Sequence, residues 1–191
     1  MEKVTTPEFR ASFAHVFKPR AFKEGQEPKY SVVMLFDEKE DLSALKKLAK
    51  AAADDKWPKG IPTNLRSPFR KGSEKPDLDG YEGKVFITAS SKMQPGVVDN
   101  QVQPILNESD FYSGCYARAT VTAYAYDHMG NKGVAFGLQN IQKLRDGEPF
   151  SGRSKAEDDF DVFDTGNEDD FLSGGAKAET VKQEPSDNMF T

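Results

Sequence analysis

The strongest constraint on the fold is a strictly alternating run between Cys115 and Asp127. A period of two residues is typical of a β-strand with one buried face. One face carries small apolar residues, and a strand this long with such a face suits the crowded interior or tight bend of a small barrel. The small face consists of Ala117, Ala119, Val121, Ala123 and Ala125, and the opposite face of Tyr116, Arg118, Thr120, Thr122, Tyr124 and Tyr126.

Other segments show the same β character. One is apolar enough to be buried on both faces, and another follows a hairpin turn that contains Gly130-Asn131. The further strands are predicted at residues 9–17, 30–36, 84–90 and 132–143.

Between the second and third strands the period becomes helical. Leu42, Leu45 and Ala49 fall on one stripe, and Pro58 ends it, which predicts one α-helix at about 41–56. A long loop rich in proline, glycine and charge follows at 61–83. The number of strands and the order of strands, helix and loop predict a mainly β protein, a five-stranded OB-fold barrel with one inserted helix. A β-sandwich fits the same pattern as an alternative.

The charge is divided unevenly along the chain. The net charge is -5, but residues 1–155 carry 24 basic and 20 acidic side chains, whereas residues 156–191 carry 2 basic and 11 acidic ones. An acidic segment with few apolar groups does not offset the entropy of ordering. We therefore predict a folded domain at 1–155 and a mostly disordered acidic tail at 156–191.

The tail contains a small repeat. Asp158-Asp159-Phe160 recurs as Asp169-Asp170-Phe171. Acidic residues around isolated aromatic ones are typical of binding motifs, although a merely solubilising tail is the alternative. The residues predicted to bind partners are Asp169, Asp170, Phe171, Asp187, Met189 and Phe190.

Several classes of protein are excluded or disfavoured. The longest apolar run, residues 32–36, is far shorter than the roughly 20 residues of a membrane helix. We expect no secretory leader, because no apolar segment follows a basic start. The single cysteine, Cys115, excludes an intrachain disulfide and favours a reducing cytosol. With His15 and His128 it supplies too few ligands for a usual closed zinc site, so we expect neither metal nor cofactor.

An enzyme would have to use carboxylates. A Mg²⁺-dependent nuclease is one alternative, with the metal held by Glu157, Asp158, Asp159, Asp161 and Asp164. Catalytic ligands need fixed geometry, and this cluster lies in the segment predicted to be disordered. We therefore expect a protein that is not an enzyme.

The body combines cations with aromatic rings, the two groups that a single-strand binder needs for phosphates and for stacked bases. The simpler alternatives are that the tyrosines pack, that the tryptophan plugs the core and that the loop cations are merely solvated. The candidate cations are Arg66, Arg70, Lys71, Lys92, Arg118, Lys143 and Arg145. The candidate rings are Trp57, Phe69, Tyr112, Tyr116 and Tyr124.

Longer stretches carry a resemblance to a known family. They are Phe17-Lys-Pro-Arg-Ala-Phe, Ala89-Ser-Ser-Lys-Met-Gln-Pro-Gly-Val-Val-Asp, Phe111-Tyr-Ser-Gly-Cys-Tyr-Ala-Arg and the block from Gly130 to Phe150. Together they resemble a family of single-stranded DNA-binding proteins of tailed bacteriophages, over roughly residues 9–163.

The resemblance implies an OB fold, sequence-independent binding of single-stranded DNA, and a role in phage replication and recombination in the cytoplasm of the bacterial host. It also implies phage or host replication proteins as partners of the tail. The design is similar to that of the single-stranded DNA-binding proteins of T-odd podophages, which dimerise and end in an acidic tail with a terminal aromatic residue. This sequence departs from that pattern, because Thr191 follows Phe190. The alternative function is a protein-interaction module or DNA mimic that acts through the tail.

Overall fold

Strands dominate residues 2–150, the part of the chain that the computed structural model describes. The single helix of this part, α1, spans Ser43–Lys56, and short 3₁₀ turns lie at Gly72–Glu74 and Glu108–Asp110. The strands are β1 (Lys3–Thr5), β2 (Phe9–Arg20), β3 (Lys29–Asp37), β4 (Arg70–Lys71), β5 (Lys84–Ser91), β6 (Gly96–Val98), β7 (Tyr116–His128) and β8 (Asn131–Arg145).

Five strands close into a ring in the order β2, β3, β5, β8, β7 and back to β2. Neighbours in the ring are antiparallel, except that β5 and β8 run parallel. The short strands β1, β4 and β6 pair with β7, β5 and β8 respectively. The predicted five-stranded OB-type barrel is therefore confirmed, and a single closed ring excludes the two separate sheets of a sandwich.

The small face of β7 points into the barrel. Ala117, Ala119 and Val121 are each at most 2% exposed. Helix α1, which confirms the predicted helix to within two residues, packs against this strand and buries Leu45 and Leu48. Small side chains on β7 let the helix and the barrel wall approach closely. No helix within residues 2–150 has both the length and the apolar character needed to cross a bilayer.

Strand β3 is buried on both faces, as its composition predicts. Val32 and Met34 belong to the main core, whereas Leu35 belongs to a second cluster on the outside of the barrel with Tyr81 and Phe86. The Tyr81 hydroxyl donates a hydrogen bond of 3.1 Å to Ser12 Oγ. The long loop predicted at 61–83 also holds β4 and a 3₁₀ turn, and it covers the outer face of β3 and β5.

Two strands bend where the barrel requires it. The register of β2 against β3 shifts between Ser12 and His15, and Phe13 there has a φ of 45°. On β8 the register against β7 shifts twice, leaving Gln139 and Leu144 as extra residues. Such bulges increase the local bend and twist that a small closed barrel needs.

The close approach at Gly72 yields a stability prediction. A Cβ at this position would meet the carbonyl oxygen of Tyr81 and lie 2.6 Å from its carbonyl carbon. Backbone moves less easily than a side-chain tip, so Gly72→Ala should lower the free energy of unfolding by about 1–3 kcal/mol. Urea denaturation measures this, with Ser73→Ala in the same turn as the control. An unchanged midpoint for Gly72→Ala would show that the segment packs more loosely than the structure indicates.

Candidate nucleic-acid interface

A cleft forms where β5 and β8 diverge. Their parallel register comprises two residue pairs, Ala89 with Phe136 and Ser90 with Gly137. Towards the amino ends of both strands the segment 66–71 fills the gap. The Arg66 N–H donates to Lys132 O at 2.9 Å, while β4 pairs with β5. The segment is therefore held by backbone hydrogen bonds to both diverging strands.

The cleft has a volume of about 580 Å³ and combines cations, rings and small residues. The segment supplies the two arginines and an aromatic ring, and the strands supply a tyrosine, a hydroxyl and two small aliphatic side chains. The lining residues are Arg66, Ser67, Pro68, Phe69, Arg70, Glu74, Thr88, Tyr126, Val134 and Ala135. This composition suits a ligand that has both negative charge and flat apolar surface.

The two arginines differ in their charge balance. Arg70 donates from Nε and Nη2 to Glu74 Oε2 at 2.9 and 2.6 Å, and its guanidinium lies 5.1 Å from the centre of the Phe86 ring. The hydrogen bonds from Arg70 and then from the Lys71 N–H hold the pKa of Glu74 below its usual value. Arg66 is exposed and pairs with no carboxylate of the described residues. Among residues 2–150, Arg66 is thus the cation of the cleft lining whose charge no carboxylate compensates.

The rings at the cleft also differ. Phe69 is half-buried, and its ring meets that of the core residue Phe136 edge to face at a centroid distance of 5.8 Å. Phe69 therefore anchors the segment as well as lining the cleft. Tyr124 is outside the lining of this cleft: it is 38% exposed and lines a separate pocket against α1. Burial, followed by the neighbouring Tyr126, raises the pKa of Tyr124, while a hydrogen bond with Ser90 opposes that shift. Tyr126 itself lines the cleft.

Four predicted residues lie together at the other end of β7 and β8, in a layer of stacked cations and rings. Arg145 lies 3.6 Å from the centre of the Tyr116 ring, and Lys143 lies 5.1 Å from that of Tyr112. Both cations are also paired, Arg145 with Glu8 and Lys143 with Asp146, at 2.7 Å each. These four side chains are engaged within the protein itself.

Arg10 extends this layer to the carboxyl end of the described chain. Its guanidinium lies 4.1 Å from the centre of the Phe150 ring and 5.9 Å from that of Tyr116. It also donates to Glu148 O at 2.6 Å and to Gly114 O at 3.2 Å. The layer therefore ties residues 146–150 to the barrel.

The other predicted residues fall elsewhere. Lys71 lies on β4 beside the cleft, and Lys92 is paired with Glu27 at 2.6 Å. Arg118 is exposed and donates to Gln142 Oε1 at 2.8 Å. Trp57 ends α1 and is partly buried against the core, as the simpler alternative for a tryptophan at a helix end expects.

Two further groups lie outside the described residues. They are the tail residues Asp169, Asp170, Phe171, Asp187, Met189 and Phe190, and the carboxylates at 157–164 that the nuclease alternative requires. Within residues 2–150 no group of three or more His, Cys, Asp or Glu side chains is arranged to hold a metal ion.

Sequence reasoning left some cleft residues out of its candidate set, namely Tyr126, Thr88 and Glu74. Tyr126 shares the polar face of β7 with the candidate ring Tyr124, so the alternation of the sequence was enough to make it a candidate as well. Thr88 and Glu74 have no such signal, because only the packing of the segment 66–71 brings them to one cleft.

The barrel and its cleft define the chain as an OB-fold protein. Its sequence matches the model of the family of the single-stranded DNA-binding protein of Enterobacter phage Enc34 over residues 2–172, and the chain belongs to that family. The resemblance to phage single-stranded DNA-binding proteins is thereby confirmed. The family is one of DNA-binding proteins rather than of enzymes, as predicted.

Individual relatives agree with this assignment. Putative protein p50 of Acyrthosiphon pisum secondary endosymbiont phage 1 is 38% identical over 107 residues, a match that spans 55% of this chain and 57% of that protein. The Enc34 protein in complex with single-stranded DNA superposes with a TM-score of 0.67 at 23% identity, covering 78% of this chain and 89% of that one. The gp2.5 single-stranded DNA-binding protein of bacteriophage T7 gives 0.56 at 14% identity, covering 81% and 98%. At these identities the two structures support the shared fold.

The stacked layer yields a pH prediction. Burial first, and then the hydrogen bond to Asp146, raises the pKa of Tyr112 from 10.0 to about 12. A phenol whose pKa is raised on folding stabilises the fold below pH 10.0 and loses that contribution between pH 10.0 and about 12. The stability difference between wild type and Tyr112→Phe should therefore shrink over this interval in denaturation experiments. A difference that stays constant from neutral pH to pH 12 would contradict the assignment.

Proposed function

We propose that this protein binds single-stranded DNA without sequence preference and protects it during phage replication and recombination in the host cytoplasm. The observation that carries the proposal is the cleft between β5 and β8, where an uncompensated Arg66 lies beside aromatic rings. Cations neutralise phosphates and rings stack with bases of any sequence. Membership in a family described by a phage single-stranded DNA-binding protein supports the same conclusion.

Within the cleft the roles divide by charge and exposure. Arg66 contacts a phosphate first, because no described carboxylate competes for it. Arg70 contributes once phosphate replaces Glu74, and Lys71 extends the positive edge along β4. The exposed part of Phe69 offers stacking surface within the cleft, and Tyr124, whose strand partner Ala135 lines the cleft, offers a ring next to it.

The remaining candidates have weaker support as DNA contacts. Lys92 and Arg118 are exposed and extend the path of the DNA strand beyond the cleft. Half-buried Trp57 contributes at most an edge of its ring. Tyr112 and Lys143 serve mainly to hold the segment 146–150, because they contact Asp146 and Gly147. Tyr116 and Arg145 are engaged with each other, and Arg145 also with Glu8.

Arg66→Ala provides the direct test of the cleft. It should weaken binding of oligothymidylate and reduce the slope of log affinity against log salt by about 0.7, the value for one phosphate contact on a single strand. Titrations at several salt concentrations measure both quantities. Lys47→Ala, which removes an exposed cation from α1, is the matched control and should change neither.

Two outcomes would count against the proposal. If Arg66→Ala and Lys47→Ala changed affinity and salt slope equally, the DNA interface would have to lie outside the cleft. A wild-type protein that does not bind single-stranded DNA at any salt concentration would favour the alternative, an interaction module or DNA mimic that acts through its acidic tail.

We further propose that the tail competes with DNA for the basic cleft and, once displaced, recruits phage or host replication proteins. The support is the charge of the sequence: residues 156–191 have 11 acidic and 2 basic side chains, joined to a body of opposite net sign. A tether raises the local concentration of such a competitor. Partner binding is assigned to Asp169, Asp170 and Phe171 and to Asp187, Met189 and Phe190. A homodimer, which the resemblance implies, remains a prediction.

Deleting residues 165–191 should tighten binding of single-stranded DNA at low salt and have a smaller effect at high salt, because screening weakens a charged competitor. Affinity titrations of the full-length and shortened proteins across a salt series measure this. The triple variant Glu168→Gln, Asp169→Asn, Asp170→Asn keeps the length of the tail and should reproduce part of the gain. Equal affinities at every salt concentration would exclude competition by the tail.

A further inference from the structure

Tyr126 and Gly133 face each other across the hairpin of β7 and β8. Gly133 is buried, whereas the Tyr126 ring lines the cleft. A Cβ on Gly133 would meet the Tyr126 hydroxyl and lie 2.6 Å from Cζ and 2.9 Å from Cε1. The end of the tyrosine ring therefore rests on the backbone of β8, in space that any other residue at position 133 would occupy.

Arg66 lies on the other side of the same glycine. It forms a parallel β-bridge with Gly133, and its N–H and carbonyl pair with Lys132 O at 2.9 Å and with the Val134 N–H at 3.3 Å. Tyr126 on β7, Gly133 on β8 and Arg66 in the bridging segment thus form one row. Adjacent strands are about 4.8 Å apart, so the backbone of Arg66 lies roughly 10 Å from that of Tyr126. Gly133, which has no side chain, is thus flanked by the Tyr126 ring and by the Arg66 cation, which pairs with no carboxylate of the described part of the chain.

We infer that Tyr126 is a base-stacking subsite of the cleft and that Gly133 is its positioning residue. The inference rests on the proposed function. Because Gly133 has no side chain, the ring lies low against β8, and its outward side lines the cleft beside Arg66. A base stacks on this ring while Arg66 contacts the neighbouring phosphate.

The proposal assigns different chemistry to each member of the row. A ring contributes stacking, which does not depend on salt, whereas a cation contributes through counterion release, which does. Substitutions of Tyr126 or Gly133 should therefore weaken binding at constant salt slope, and Arg66→Ala should change the slope. A tyrosine that merely packs over a glycine would alter stability and leave affinity for DNA unchanged.

Gly133→Ala moves the ring without removing it. The atoms that a new Cβ meets belong to the far end of the tyrosine side chain, so the ring swings away and the strand pairing is kept. Tyr126→Leu removes the flat ring, and Tyr126→Phe keeps it as a control. The double variant Tyr126→Leu, Gly133→Ala completes a mutant cycle.

The experiment measures the affinity of the full chain for oligothymidylate and for an abasic deoxyribose-phosphate oligomer. Gly133→Ala and Tyr126→Leu should each weaken oligothymidylate binding by about 5- to 150-fold, the equivalent of one stacked base. Tyr126→Phe should bind like the wild type. The double variant should be no weaker than Tyr126→Leu, and the abasic oligomer should not distinguish any of these proteins.

The outcomes separate this inference from the proposed function. If wild type fails to bind oligothymidylate, the proposed function fails. If wild type binds and Arg66→Ala is impaired, but Tyr126→Leu binds normally, the stacking subsite is overturned. Additive effects in the double variant would overturn the role of Gly133. Thermal unfolding of each variant checks its fold, and if Gly133→Ala does not fold, the comparison of Tyr126→Leu with Tyr126→Phe still decides the stacking role.

Discussion

The architecture of the cleft depends on a very short parallel contact between β5 and β8. Two residue pairs close the barrel there, and beyond them the strands separate. Backbone groups left unpaired by the separation would be costly if buried. The segment 66–71 satisfies them on both sides, with Arg66 against β8 and β4 against β5. The same segment therefore completes the barrel wall and lines the cleft.

The cations of the protein differ in how far carboxylates and rings already engage them. Those in the stacked layer, Lys143 and Arg145, are paired and lie on rings, so moving them to a ligand would break existing contacts. Arg70 is held by Glu74. Arg66 is held by its backbone, and no carboxylate within residues 2–150 pairs with its guanidinium. Affinity for a polyanion should depend more on such a cation than on the number of cations in the chain.

Much of the fold was predictable because its signals are local. The alternation of β7, the helical stripe of α1 and the doubly apolar β3 reflect the periods of strand and helix, and all three appear as expected. The segment 61–83 was less predictable. Its strand β4 is two residues long, and its packing over Leu35 and Phe86 depends on contacts distant in sequence. A short strand with exposed side chains has no hydrophobic period by which to recognise it.

For the candidate site, too, some properties followed from the sequence and others depended on contacts distant in sequence. The sequence alone determined that cations and rings were abundant in the body, that the acidic charge was concentrated in residues 156–191, and that the chain resembled a phage single-stranded DNA-binding family. Only the tertiary structure decided which cations and rings share a surface. It placed Arg66, Arg70 and Phe69 with Tyr126 at one cleft and engaged Tyr112, Tyr116, Lys143 and Arg145 elsewhere. The physical reason is that composition and period are properties of neighbouring residues, whereas a binding surface is made where strands distant in sequence meet.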